Sequence, residues 1–275
     1  MMAITAADVN KLRKMTGAGM MDCKKALTEA NGDFEEAIDV LRKRGQKVAA
    51  KRADREATEG AVISLTSPDG KNGIIISLNC ETDFVAKNEG FVELANKFAK
   101  VALLGFPADR NVLLSLEFEP GLSVADKLSE QTGVIGEKLE LASYEKLSGD
   151  CVSSYIHAGN KLATLASLNV NSQEAAKNIA MQVAAMNPVA LDKDSVPLDV
   201  IERELEVARD QVRQEGKPEE MIDRIAQGKL GKFFKENTLT GQSYIKDSKQ
   251  TVEAYIKAIE EGAKVTGYRR VGLGV

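Results

Sequence analysis

Residues 78–91, LNCETDFVAKNEGF, set an acid, Asp83, beside an aromatic, Phe84, where a β-rich run gives way to a helical pattern. Nothing near Asp83 would make it catalytic: there is no neighbouring histidine, metal-ligand cluster or glycine loop to cradle a phosphate. His157 is the only histidine of the chain, so a metal site built on several imidazoles is excluded. A nucleophile and base pair would have to use that one residue, and no G-x-S-x-G surrounds any serine. A lone histidine beside a turn is more often a structural hydrogen-bonding residue than a catalyst. TGAGMMD (16–22) contains G-x-G but lacks the third glycine and follows a helical pattern, so it reads as a turn between helices and not as a dinucleotide site. No G-x-x-x-x-G-K-[ST] occurs, so a phosphate loop is not expected. Catalysis through His157 stays open from the residues alone, beside a chain that acts on a nucleotide-binding protein without binding nucleotide through a phosphate loop itself.

Two readings of Asp83 and Phe84 stand side by side. Phe84 could fill the core at a strand-to-helix corner, since aromatics bury large areas. Alternatively, the polar entry formed by Ala86, Lys87, Asn88 and Glu89 leaves the corner at the surface, where an outward Asp-Phe pair is a binding anchor.

The elements that would position this corner follow from patterning. With 275 residues and 43% apolar content, the chain can bury a real core in one large domain or several small ones. Its 37 basic and 41 acidic residues leave a formal charge of −4, which gives no overall pull toward nucleic acid or anionic membrane. The longest apolar runs fall far short of the roughly 20 residues of a membrane span. The N-terminus lacks the apolar block of a secretory signal, and Cys23, Cys80 and Cys151 suit free thiols, so a cytoplasmic location is expected.

Residues 1–45 read as three short helices, opened by Thr5 with Asp8 and later by Asp33 with Glu36 in capping-box spacing, and broken at TGAGM (16–20). Phe34, Ala37, Ile38 and Leu41 form one apolar stripe on the third. The run 42–60 carries seven basic residues and reads as a helical or flexible linker; contact with phosphates is the alternative, but no aromatic residues interleave with the charges. Two β-rich runs around Pro-Asp-Gly then form a hairpin, followed by a helix capped by Asn88 with Phe91, Leu94, Ala95, Phe98 and Val101 on one side. The plan recurs from residue 151: two runs around Ala-Gly-Asn-Lys, then a helix expected to be capped by Asn171 with Glu174 and to bury Ala175, Ile179, Val183 and Met186. Residues 195–240 suggest an antiparallel helical hairpin, Ile201, Leu205, Ala208 and Val212 facing Met221, Ile222, Ile225, Ala226 and Leu230. The expected class is α+β: an N-terminal helical unit with linker (1–54), a first core module (55–147), and a second (148–275) that includes the hairpin.

Several of these stretches resemble the bacterial-type translation elongation factor Ts family. LRKMTGAGMMDCKKALTEANGDFEEAIDVLRKRG (12–45) and NCETDFVAKNEGF (79–91) are similar to its two signature segments; SGDCVSSY, SYIHAG (154–159) and NTLTGQSYIKDSKQTV (237–252) extend the likeness almost to the C-terminus. The resemblance implies a guanine-nucleotide exchange factor for elongation factor Tu, with a ubiquitin-associated-like N-terminal bundle and a duplicated core bearing a protruding hairpin. It implies that Thr82, Asp83, Phe84 and Val85 intrude near the partner's magnesium site, and that Met20, Met21, Lys24, His157, Tyr244 and Ile245 supply further contacts. It implies no direct nucleotide, nucleic-acid or membrane binding, and leaves a homodimer or a 2:2 complex open. Two departures stand out: Ala158-Gly159-Asn160-Lys161 replaces the family's glycine-arginine-rich turn, and Lys246 stands where an apolar residue is common.

Overall fold

A computed structural model describes residues 4–274. The chain begins with three helices, α1 (Ala6–Thr16), α2 (Met20–Glu29) and α3 (Phe34–Lys51). Thr5 and Asp8 close the expected capping box on α1, and Gly17 ends that helix at φ 74°. At α3 only half of the second box forms: Asp33 accepts from the Glu36 N–H at 2.9 Å, while its own N–H donates to the Ala30 carbonyl. Leu12, Cys23, Ala26, Leu27 and Ala37 make the small core of this unit, and Val134 from a later helix closes it.

The basic run is less free than a solvated linker. It remains helical to Lys51, Arg44 is paired with Glu29 at 2.7 Å, and Arg52 with Glu81 at 2.7 Å. Gly45 is buried where α3 crosses a later helix: a Cβ on it would lie 2.9 Å from the Ser129 carbonyl oxygen. The absent side chain is what lets the two backbones touch.

Strands β1 (Glu59–Thr66) and β2 (Asn72–Cys80) form the expected antiparallel hairpin, with Ile63 opposite Ile76. One turn of helix, α4 (Asp83–Ala86), leads into α5 (Glu89–Gly105), which Asn88 caps by accepting from the Gly90 N–H. Short elements follow, α6 (Arg110–Ser115), β3 (Glu117–Glu119) and β4 (Leu122–Ser123), and then α7 (Val124–Ile135), which packs on α3. Strand β5 (Glu140–Ser148) returns to pair antiparallel with β2.

A second set repeats the order strand, strand, helix: β6 (Cys151–Ile156), β7 (Leu162–Leu168) and α8 (Gln173–Met186). Ser172, not Asn171, is the N-cap residue of α8, and its side chain makes no capping bond. Ala175, Ile179 and Val183 are buried, whereas Met186 at the last turn is 44% exposed and so leaves the expected stripe. A 3-10 turn (Lys193–Ser195) precedes α9 (Leu198–Gln214) and α10 (Glu219–Asn237). These helices run back on each other through Gly216, at φ 71°, and Pro218. Their seam buries Ala208, Val212, Ile222, Ala226 and Leu230; Met221, expected in that set, faces outward. The chain ends with β8 (Ser243–Tyr244), β9 (Asp247–Thr251), α11 (Val252–Lys257) and β10 (Val265–Gly272), the last pairing with β7.

The two main sheets have the orders β1-β2-β5 and β10-β7-β6. Because successive side chains leave a strand on opposite faces, the run Ile74, Ile75, Ile76 serves two cores. Ile74 and Ile76 pack with Phe91 and Phe98 of α5. Ile75 joins Val62, Leu147, Val152, Leu165 and Val271, a layer drawn from both sheets. Helix α8 covers the other side of the second sheet. The isoleucine run is therefore buried throughout, although each strand alternates. In this mixed α+β architecture β2 is the central strand of its sheet, so its end is held from both sides by β1 and β5.

Candidate functional site

Cys80 is the last residue of β2; the chain bends at Glu81 and is extended at Thr82. Thr82 is the N-cap of α4, its hydroxyl accepting from the Val85 N–H at 3.4 Å. One helical turn separates the side chains by facing: Val85 and Ala86 pack into the first core, while Phe84 points away and is 85% exposed. Of the two readings open from sequence, the structure takes the outward one. A large apolar ring in water marks a contact surface, and here it stands on a one-turn helix that Val85 and Ala86 anchor inward.

Asp83 accepts from the Lys87 ammonium at 2.6 Å, one turn on. That hydrogen bond and the lysine's charge hold the Asp83 carboxyl below the usual aspartate range and the Lys87 ammonium above its own. The pair is exposed, so it steers the local charge more than it stabilises the fold. Behind the corner, burial pushes the Cys80 thiol up to about 12, and its Sγ donates to the Thr82 carbonyl at 3.2 Å.

The turn after β6 reaches the same corner. His157 is exposed, with Nδ1 3.0 Å from the Tyr155 hydroxyl and no carboxylate, serine or thiol partner among the described residues. Asn160 sits at φ 56°, and its carbonyl accepts from the Val62 N–H at 2.7 Å, docking the turn on β1. Lys161 pairs with Glu59 at 3.0 Å. Gly159, Asn160 and Lys161 then face Asp83, Ala86 and Lys87 across a cleft of about 300 Å³. The turn 158–161 thus lies beside Asp83.

The remaining expected residues fall elsewhere. Met20 and Met21 are exposed by 52% and 63% on the first turn of α2, with Lys24 exposed one turn on. None of the three lines the cleft. Tyr244 is 4% exposed, stacked on Tyr255 with ring centroids 4.1 Å apart inside the second core. Its ring is used up by internal packing, so only Ile245, 40% exposed, is offered outward at that position. The Ile245 N–H donates to Gln182 Oε1 at 2.8 Å, and Lys246 donates to Asn178 Oδ1 at 2.7 Å, which ties this hairpin to α8. Among the described residues, no group of three or more His, Cys, Asp or Glu side chains could hold a metal ion, and no helix is long and apolar enough to cross a membrane.

Sequence reasoning missed the residues that brace the corner: Arg52, Glu81, Glu137 and Lys138. Glu81 accepts from the Lys138 N–H at 2.6 Å and from Arg52 at 2.7 Å. Glu137 accepts from the backbone and hydroxyl of Thr82 across 55 positions. Such separations leave no periodic or motif signal.

What the fold and site define is an α+β protein that presents a braced, solvent-facing aromatic just past the end of a central strand. The model of the family described as Elongation factor TS matches residues 81–275. The chain is 57% identical to a protein named Elongation factor Ts from Christiangramia forsetii, over the whole of both chains. It is also 57% identical, again over both full lengths, to that of Flavobacterium psychrophilum, and 50% identical over 99% of each chain to that of Porphyromonas gingivalis. The chain belongs to the elongation factor Ts family and is a translation elongation factor.

Proposed function

We propose that the chain promotes release of GDP from elongation factor Tu by disturbing the partner's magnesium and phosphate site, without catalytic residues or a cofactor of its own. The observation that carries this reading is Phe84: an 85% exposed ring beside an acid, on a corner tied from behind by carboxylates. A magnesium ion needs near-octahedral oxygen ligands at short distances, so a small displacement of the segments that hold it loosens its grip on the phosphates. Phe84 acts as a wedge between partner helices, Asp83 hydrogen-bonds or repels groups beside it, and Thr82 and Val85 keep the turn in place. Because coupling is reciprocal, nucleotide rebinding expels the factor as the factor expels GDP.

Met20, Met21 and Lys24 supply a second contact from the helical unit, which we take to be ubiquitin-associated-like. His157 adds one from the turn beside the corner, and Ile245 one near the C-terminus. The working division is a helical unit with linker (1–54), a first module (55–147) and a second (148–275) related to it by duplication, acting in the cytoplasm. The internal pairing of Arg44 and Arg52 counts against a phosphate-binding role for the basic run. The test is release of fluorescent GDP from purified elongation factor Tu with and without the chain. Acceleration supports the proposal, and an unchanged rate at saturating chain overturns it.

A further inference from the structure

The backbone of the corner has a fixing point that lies outside it. The ladder between β2 and β5 ends at Asn79 opposite Glu140, so the amides of Glu81 and Thr82 have no strand partner. Glu137, in the loop between α7 and β5, takes both: its Oε2 accepts from the Glu81 N–H at 3.1 Å and the Thr82 N–H at 3.0 Å. Its Oε1 accepts from the Thr82 hydroxyl at 2.6 Å. One carboxylate therefore satisfies three consecutive donors that would otherwise compete for water. Beside it, Glu81 accepts from Lys138 and from Arg52 at the end of α3, so the same loop connects the corner to the helical unit.

We infer that Glu137 is a positioning residue for nucleotide exchange: it fixes the backbone that precedes α4, so that Phe84 is presented at one angle before the partner arrives. This rests on the exchange reading above. A corner ordered in advance does not lose conformational freedom on docking, and more of the ring's contact free energy goes into opening the partner's site. A Phe84 on a loosened turn still reaches the partner but pushes less effectively.

The test uses the full chain as wild type, Glu137→Ala, Glu137→Gln and Phe84→Ala. Two readouts are taken: amide hydrogen exchange across residues 81–85 in the free chain, and the maximal rate of fluorescent GDP release from elongation factor Tu at saturating chain. Glu137→Ala is expected to speed amide exchange at residues 81 and 82 and to lower the maximal release rate, each by about tenfold, the weight of one to two net hydrogen bonds. Glu137→Gln, which keeps an acceptor oxygen in place, should stay within about threefold of wild type. A merely structural defect reduces the folded fraction, which raises the half-saturating concentration but leaves the plateau; a loosened corner lowers the plateau. Wild-type amide exchange at residues 81–85 in Glu137→Ala overturns the inference. So does an unchanged plateau in Glu137→Ala when Phe84→Ala lowers it. If Glu137→Ala does not fold, a Glu137→Gln chain whose amides at residues 81 and 82 exchange as in wild type but whose plateau is as low as that of Phe84→Ala overturns it, because a corner held in place should then keep its release rate. If the wild-type chain does not accelerate release, the exchange reading falls; if it does and Phe84→Ala is unchanged, only the wedge falls, and in either case the amide measurement alone decides whether Glu137 holds the corner.

Discussion

Replacing Phe84 with alanine separates folding from function more cleanly than any other single change. In the free chain the ring is 85% exposed, so its removal forfeits almost no internal contact and stability should stay within about 0.5 kcal/mol of wild type. On docking the same exposure becomes available for burial. Fully burying a phenylalanine stabilises by about 1.5–3 kcal/mol, and an 85% share leaves about 1.3–2.6 kcal/mol to be gained against the partner. At about 1.4 kcal/mol per decade, Phe84→Ala should slow stimulated GDP release by about ten- to eightyfold. Inverting a 1:99 population needs about 5.5 kcal/mol, so the ring supplies less than half of that and other contacts must supply the rest. Stopped-flow release of fluorescent GDP at several chain concentrations measures the effect, with a thermal melt of the free variant as control. A folded variant that releases GDP at the wild-type rate would refute the wedge.

Three further outcomes follow from the geometry. Gly133→Val places atoms where even a Cβ would lie 2.5 Å from the Gly45 Cα, and such overpacking costs about 1–3 kcal/mol, so the helical unit should detach from α7 and trypsin should cut faster after Arg52 and Arg55; an unchanged cleavage pattern contradicts the close helix crossing. All three thiols are buried, and burial pushes that of Cys80 up to about 12 and raises those of Cys23 and Cys151, so a thiol reagent should label them only after denaturation; one fast-reacting thiol in the native chain counts against this packing. The Lys138 N–H first, then Arg52, hold the Glu81 carboxyl below the usual glutamate range, so its contribution is complete above that range and is lost as pH falls through the lower folded value; Glu81→Gln should flatten the acid limb of stability measured by urea unfolding, and an unaltered limb would dismiss the linkage.

Local features were legible because their causes are local. The Thr5 and Asp8 box, the Pro-Asp-Gly hairpin and the apolar stripe of α5 each depend on residues within one or two turns of each other. Features set by distant pairing were not. Strand β5, ELASYEKLS, mixes polar and apolar residues and is a strand because β2 offers it an edge. Helix α7 carries Gly133 near its C-terminal end and is capped by Gly136, which reads as a break, yet Gly133 is there to admit α3. The burial of Tyr244 depends on the ring of Tyr255, which stacks on it inside the second core. At the site, the outward direction of Phe84 was one of two open readings, and the choice depended on where Val85 and Ala86 found apolar partners. The bracing by Glu137 was invisible, since nothing near residue 137 marks it for a donor 55 positions away.

The most direct measurement follows the ring position itself into the complex. All three native cysteines are buried, so Phe84→Cys introduces the one accessible thiol for an environment-sensitive fluorophore. Emission should move to shorter wavelength when elongation factor Tu bound to GDP is added, and return when excess nucleotide displaces the chain. A label that keeps its aqueous emission in a complex still able to accelerate GDP release would show that position 84 never enters the partner.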